Sequence, residues 1–179
     1  TPLVVVHPGC SMPARTYPAE QYVDLVAAVA RELGAFVVLT GVESERELAE
    51  GIADRLPLDV RGHVRLAAGE LSFADFCALI DVADLVITNN TGPMHIASAM
   101  ATPVIALFAL TNPVEQWGPW QTPHRVLNYD VPCRICYSKV CPHNQECLRS
   151  VTADEVVEAA RELLGVDASA EPLIAGAVA

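Results

Sequence analysis

Short runs that are apolar throughout alternate along this chain with longer stretches whose apolar residues return every three or four positions. Leu3 to Val6 is continuous and β-branched and ends at His7-Pro8-Gly9, which predicts a buried strand followed by a turn. Pro18 stands at a helix start, and Tyr22, Leu25, Val26, Val29 and Leu33 share one helical face before Gly34 terminates it. Phe36 to Leu39 reads as a second strand. Ser44 and Glu47 have capping-box spacing, with Leu48, Ile52 and Leu56 turned inward on the helix that follows. Val64 to Leu66 makes a weaker third strand, and Ser72 with Asp75 opens a helix that buries Phe76, Leu79 and Ile80. Leu85 to Ile87 is a fourth strand, stopped by Thr88-Asn89-Asn90. Thr91-Gly92-Pro93 then starts a small-residue helix carrying His95. Val104 to Phe108 is the fifth strand and Val126-Leu127 a sixth. Thr152 with Glu155 caps the closing helix, whose inner residues are Val156, Val157, Ala160, Leu163 and Leu164.

Apolar strands alternating with amphipathic helices call for a parallel sheet covered on both faces. Right-handed crossovers then give an α/β, Rossmann-like doubly wound sheet, whose ligands collect beyond the carboxyl ends of the strands. The loops at that edge begin at His7, Thr40, Thr88 and Phe108 and carry most of the distinctive residues. Residues 1–166 are expected to form one domain, with a cysteine-rich loop at 133–147; 167–179 has little periodicity and is expected to be a loose tail.

Composition narrows the ligand. With 52% hydrophobic residues in 179 the chain can build a full core, and 22 acidic against 11 basic residues leave a net charge of −11. No cluster of Lys and Arg is present, which argues against a nucleic-acid partner. No apolar run reaches the roughly 18 residues of a membrane span, so the chain is not expected to cross a bilayer. The amino end has no Met and no charged n-region and enters a strand at once. It is read as no signal peptide, and the chain as a domain of something longer or half of a two-domain protein.

Four constellations carry chemistry. At Asn90-Thr91-Gly92 a helix N-terminus, with unpaired N–H groups and partial positive charge, faces the sheet edge, an anion site best suited to phosphate. Thr91 can cap and donate its hydroxyl, Gly92 permits close approach, and His95 lies one turn on. The plainer alternative is an ordinary cap and a core histidine. At the second, after the first strand, Ser11 offers a hydroxyl and Arg15 a charge for a pyrophosphate; alternatively this is a Pro/Gly turn with a surface arginine. In the third, Thr40-Gly41-Val42-Glu43, a carboxylate can accept from ribose or sugar hydroxyls, or Glu43 can serve only the helix dipole. The fourth is Cys133, Cys136, Cys141 and Cys147. Their spacing suits structural zinc or an iron–sulfur cluster, with His143 as a spare ligand; disulfides or four reduced thiols are the rivals. No Gly-x-Gly-x-x-Gly follows the first strand, and neither a Walker loop nor a Gly-x-Ser-x-Gly elbow occurs.

Together His7-Pro8-Gly9, Arg15-Thr16-Tyr17-Pro18, Gly41 to Glu43, NNTGPMHIASA, PVIALF, TNP and WGP resemble glycosyltransferase family 9, which includes the lipopolysaccharide heptosyltransferases. The resemblance runs from about Val4 to Leu164 and is most specific at TGPMHIA. It implies the carboxyl-terminal, donor-binding half of a GT-B fold. On that footing Arg15 takes the place of a basic residue on the donor phosphates and Glu43 of an acidic residue near the nucleoside. Thr91 and Gly92 match the phosphate-binding helix start, with His95 beside it. The catalytic base is expected in an amino-terminal GT-B domain, so this chain alone should bind donor without transferring sugar. Two positions depart from the family pattern: Asn90, where Asp is common, and Ala109, where Gly is frequent.

The expected function is thus donor binding in an inverting glycosyltransferase that moves heptose or a related sugar to lipopolysaccharide or another envelope glycan. Its partners would be an ADP-heptose-like nucleotide-diphosphate sugar, an acceptor glycan or glycolipid and the amino-terminal domain. Transfer would need no cofactor, and the setting would be cytoplasmic, at the periphery of the inner membrane through the other domain. The alternatives are a non-catalytic metal or assembly module built on the cysteines, and half of another GT-B nucleotide-sugar enzyme such as an epimerase.

Overall fold

A computed structural model describes residues 1–166; the tail expected at 167–179 lies outside the described residues. Six strands form one sheet: β1 (Leu3–His7), β2 (Phe36–Leu39), β3 (Val64–Leu66), β4 (Leu85–Asn89), β5 (Val104–Leu107) and β6 (His124–Leu127). Every pairing is parallel and the order is β3-β2-β1-β4-β5-β6. The chain winds outward from β1 to β3 and then returns to lay β4 against the other side of β1, in register His7 to Thr88. The strand order therefore reverses between β1 and β4, where the crossover loops part and leave a crevice.

The helices are α1 (Ala19–Glu32), α2 (Arg46–Ala53), α3 (Phe73–Val82), α4 (Gly92–Ala99), α5 (Val114–Trp117), α6 (Glu146–Arg149) and α7 (Ala153–Leu164). Strand alternation divides the core into two layers. Val4, Val6, Leu85, Ile87, Ile105 and Leu107 face α1, α2 and α7, while Val5, Val86, Val104 and Ala106 face α3 and α4. In α1 the fully buried Tyr22, Leu25, Val26 and Val29 fall at successive three- and four-residue steps, and Gly34 ends the helix with a φ of 58°. At roughly 1.5–3 kcal/mol for each large apolar side chain removed from water, this stripe is enough to hold α1 on the sheet. The α7 cap forms as expected: Thr152 Oγ1 accepts from Glu155 N–H at 3.3 Å, and Glu155 Oε2 accepts from Thr152 N–H at 2.8 Å.

Three local expectations need correction. Strand β4 continues through Thr88 and Asn89, because both remain fully buried and paired to their neighbours, and β5 ends at Leu107. The Ser44–Glu47 capping box does not form. Glu43–Glu45 is instead a single 3-10 turn, and the carboxylate that reaches back is Glu45, taking Val42 N–H at 2.9 Å. Ser44 lies inside that turn, exposed, where its hydroxyl cannot act as a cap.

Candidate functional site

Two adjacent amides at the end of β4 build the site. Asn89 is fully buried; its Oδ1 accepts from Tyr17 N–H at 2.8 Å and its Nδ2 donates to the Pro8 carbonyl at 2.8 Å. Asn89 thereby folds the loop after β1 down onto β4. Asn90, 4% exposed, does the same for the loop after β5. Its Oδ1 accepts from Ala109 N–H at 3.2 Å and its Nδ2 donates to Asn112 Oδ1 at 3.1 Å. A buried amide that lacks partners costs about 1–3 kcal/mol for each orphaned group, so these contacts fix both loops relative to the strand. Arg15 closes the ring from the side of β1, its Nε donating to Thr111 Oγ1 at 3.0 Å.

Beside this ring a cleft of about 560 Å³ opens over the carboxyl ends of β1, β2 and β4. Ser11, Glu43, Thr91 and Gly92 line it. Thr91 sits at the N-cap of α4, yet its hydroxyl makes no capping hydrogen bond. Gly92 follows at the first helical position, whose N–H has no intrahelical acceptor, and a Cβ there would meet nothing within 4 Å. Pro93 next to it has no N–H to offer. The opposite wall is apolar: Phe76 borders it, and Val42 and Phe73 are 58% and 73% exposed. A cleft with hydroxyl and N–H donors at one end and flat apolar surface at the other suits a ligand with an anionic group and a planar ring.

The floor carries a pair that the sequence did not single out. His7 is 7% exposed; its Nδ1 lies 3.1 Å from Thr40 Oγ1 and its Nε2 3.4 Å from Glu45 Oε2. The hydrogen bond from His7, together with that from Val42 N–H, holds the Glu45 carboxyl below the ordinary glutamate range against the opposing effect of burial. Glu43 stands further out and is gripped by Arg46 through two bonds, Nε to Oε1 at 3.1 Å and Nη2 to Oε2 at 2.9 Å. That fork lowers its pKa too and keeps it anionic. Gly69, with a φ of 72°, lies under the fork, where a Cβ would stand 2.2 Å from Glu43 Oε2.

The other expected site residues are distributed differently. Arg15 lies outside the cleft lining, turned toward Thr111, and His95 is on the exposed face of α4, also outside the lining. Asn90 is buried with both ends of its amide engaged by the loop after β5 and lies outside the cleft lining. His7, Asn89, Thr111 and Asn112 fall within the motifs quoted from the sequence but were given no site role there, and Glu45 was not singled out. The available signal was the placing of two asparagines directly after an all-apolar strand, since buried amides there must find partners.

The geometry lends the metal expectation no support. Cys133, Cys136, Cys141 and Cys147 line one cavity of only about 20 Å³, with His143 and Glu146 at its margin, and all are free thiols. Among the described residues no three His, Cys, Asp or Glu side chains are arranged to hold a metal ion. Burial, followed by the neighbouring thiols, pushes the Cys147 pKa up. Nor does any helix among the described residues have the length and apolarity to cross a membrane.

Residues 1–146 match the profile of "Glycosyltransferase family 9 (heptosyltransferase)". The lipooligosaccharide heptosyltransferase 2 of Campylobacter jejuni is 26% identical over 161 residues, covering 89% of this chain and 50% of that protein. The lipopolysaccharide heptosyltransferase 3 of Escherichia coli is 31% identical over 171 residues, covering 92% and 47%. The solved structure of the E. coli ADP-heptose lps heptosyltransferase II superposes with a TM-score of 0.79 at 25% identity, over 91% of this chain and 46% of that one. The chain thus spans about half the length of the curated relatives it matches.

Proposed function

The chain belongs to glycosyltransferase family 9, and from that membership we propose that it is the donor-binding half of an inverting GT-B heptosyltransferase of lipopolysaccharide assembly. The observation that carries this reading is the cleft at the β1/β4 reversal, with the uncommitted Thr91 hydroxyl and the open Gly92 at its anionic end. A nucleoside diphosphate fits both ends: phosphate on Thr91, Ser11 and the start of α4, base on the apolar wall, ribose hydroxyls toward Glu43. The E. coli relative is described as an ADP-heptose enzyme, and an ADP-linked heptose is accordingly the proposed donor.

Catalysis by this half is electrostatic. Negative charge develops on the diphosphate as the glycosidic bond breaks, and donors already aimed at it favour the transition state over the bound donor. Thr91, the Gly92 N–H and Arg15 supply that field. The base that activates the acceptor hydroxyl comes from an amino-terminal domain, so this chain binds donor and does not turn it over alone. The proposed chemistry calls on no metal, and among the described residues no three His, Cys, Asp or Glu side chains are arranged to hold one, so nothing favours the metal-centred assembly module over donor binding.

Titration calorimetry with ADP-linked and UDP-linked sugars tests the reading. Binding should favour the ADP-linked donor and weaken in Thr91→Ala and in Arg15→Ala. Unchanged affinity in both variants removes the site assignment.

A further inference from the structure

Arg15, part-buried at the end of the 3-10 turn Pro13–Arg15, is held by a side-chain hydroxyl. Among the described residues it makes no ion pair with a carboxylate, whereas Arg31, Arg46, Arg65, Arg125, Arg134, Arg149 and Arg161 do, and Arg55 and Arg61, also without one, donate to backbone carbonyls instead. Among the described residues its one side-chain hydrogen bond is Nε to Thr111 Oγ1, at 3.0 Å and 96 residues away in sequence. Thr111 then has one proton left to place, and Asn112 Oδ1 accepts it at 3.0 Å. The same Oδ1 accepts from Asn90 Nδ2 at 3.1 Å, and Asn90 is tied to the Ala109 backbone. Thr111, Asn112 and Asn90 are 3%, 5% and 4% exposed, so the sequence of bonds is shielded from water along its length.

We infer that Thr111 is a positioning residue for Arg15, set in turn by Asn112 and Asn90. The donors run in one direction. Arg15 gives to Thr111, Thr111 gives to Asn112, and the backbone-anchored Asn90 gives to Asn112 from the other side. A hydroxyl bonded at Nε fixes the plane of the guanidinium and leaves both Nη groups, with four N–H donors, for an anion. A carboxylate partner would have engaged those same groups. Arginine carries large rotamer freedom, and holding it in place beforehand reduces what binding must order. Asn90 therefore acts through the guanidinium and touches no sugar. With Asn here, Asn112 Oδ1 accepts from both sides; an Asp would require the Asn112 amide to turn over, and Thr111 would then lose its acceptor.

This inference rests on Arg15 being a diphosphate contact, and one set of measurements separates the two claims. Calorimetry of the full chain with ADP and with adenosine is run on wild type, Arg15→Ala, Thr111→Val, Thr111→Ser and Arg15→Ala/Thr111→Val, with thermal melts confirming folding. Arg15→Ala should weaken ADP about tenfold and leave adenosine unchanged. Thr111→Val should weaken ADP roughly three- to tenfold, again sparing adenosine, and Thr111→Ser should restore it. The double variant should bind ADP no worse than Arg15→Ala, since a positioning residue has nothing to position once the guanidinium is gone. Asn112→Ala, reaching the same bonds from the other end, should behave as Thr111→Val. Wild-type ADP affinity in Thr111→Val, or losses that add in the double variant, overturns the positioning role and leaves Arg15 in place. No ADP binding by wild type, or none lost in Arg15→Ala, overturns both claims.

Discussion

The Glu45 carboxylate stands 3.4 Å from the His7 ring and closes the floor of the donor cleft. It also caps the turn before α2 through Val42 N–H at 2.9 Å, so one side chain joins β1, the β2 loop and the start of a helix.

That carboxyl titrates below the ordinary glutamate range in the folded chain, first because of the His7 hydrogen bond. The unfolded state therefore binds its proton more readily as pH falls. The stability that Glu45 contributes is present above the ordinary glutamate pKa, roughly 4.3, and is lost as pH drops through the lower folded value. Urea denaturation of wild type and Glu45→Gln between pH 3 and 6 should show the variant with a shallower loss of stability toward acid. Parallel curves would contradict the pairing.

Gly9 faces the same carboxylate, and a Cβ on it would lie 2.1 Å from Glu45 Cδ. Gly9→Ala should push Glu45 off His7 and Val42 and cost about 1.5–3 kcal/mol, the range for a hydrogen bond to a charged group. In Glu45→Ala, which empties the space, the same glycine substitution should cost much less. Chemical denaturation of the four proteins of this cycle measures the difference.

Asn89→Ala should destabilise by about 2–4 kcal/mol, because it strands the Tyr17 N–H and the Pro8 carbonyl in a buried setting. Asn89→Asp should rescue little: one oxygen still accepts from Tyr17, but the other would face the Pro8 carbonyl. Guanidinium denaturation checks both.

Thr152→Ala removes one half of the α7 capping pair and should cost about 1 kcal/mol. The expected readout is a melting temperature a few degrees lower, with donor affinity unchanged, since α7 packs on α1 at the face of the sheet away from the cleft.

Hydrophobic period made most of the fold legible. The apolar runs at Leu3, Phe36, Leu85 and Val104 can be satisfied only inside a sheet covered on both faces, and the Tyr22 to Val29 stripe only by packing on it. The start of α4 was legible for a similar reason, since Thr-Gly-Pro after a buried strand leaves few backbone choices. Glu43 and Ser11 were correctly sited beside the cleft because loop position follows from strand ends. The capping role passed from Ser44 to Glu45 because helix entry shifted by part of a turn, which composition does not encode. The cysteines were expected together and do line one small cavity, yet among the described residues no three potential ligands are arranged to hold a metal ion.

By itself, then, the sequence determined a doubly wound parallel sheet and the strand edge at which the distinctive loops gather, because periodicity and turn chemistry act over a few residues; the strand order came from the tertiary structure. Only the tertiary structure decided what Asn89, Asn90, Thr111 and Asn112 do. Apart from the adjacent Thr111–Asn112 pair, their partners lie far away in the chain, from 19 residues for Asn90 and Ala109 to 96 for Thr111 and Arg15. A buried amide must bond to something, but which loop it bonds to is set by the fold that brings that loop within 3 Å.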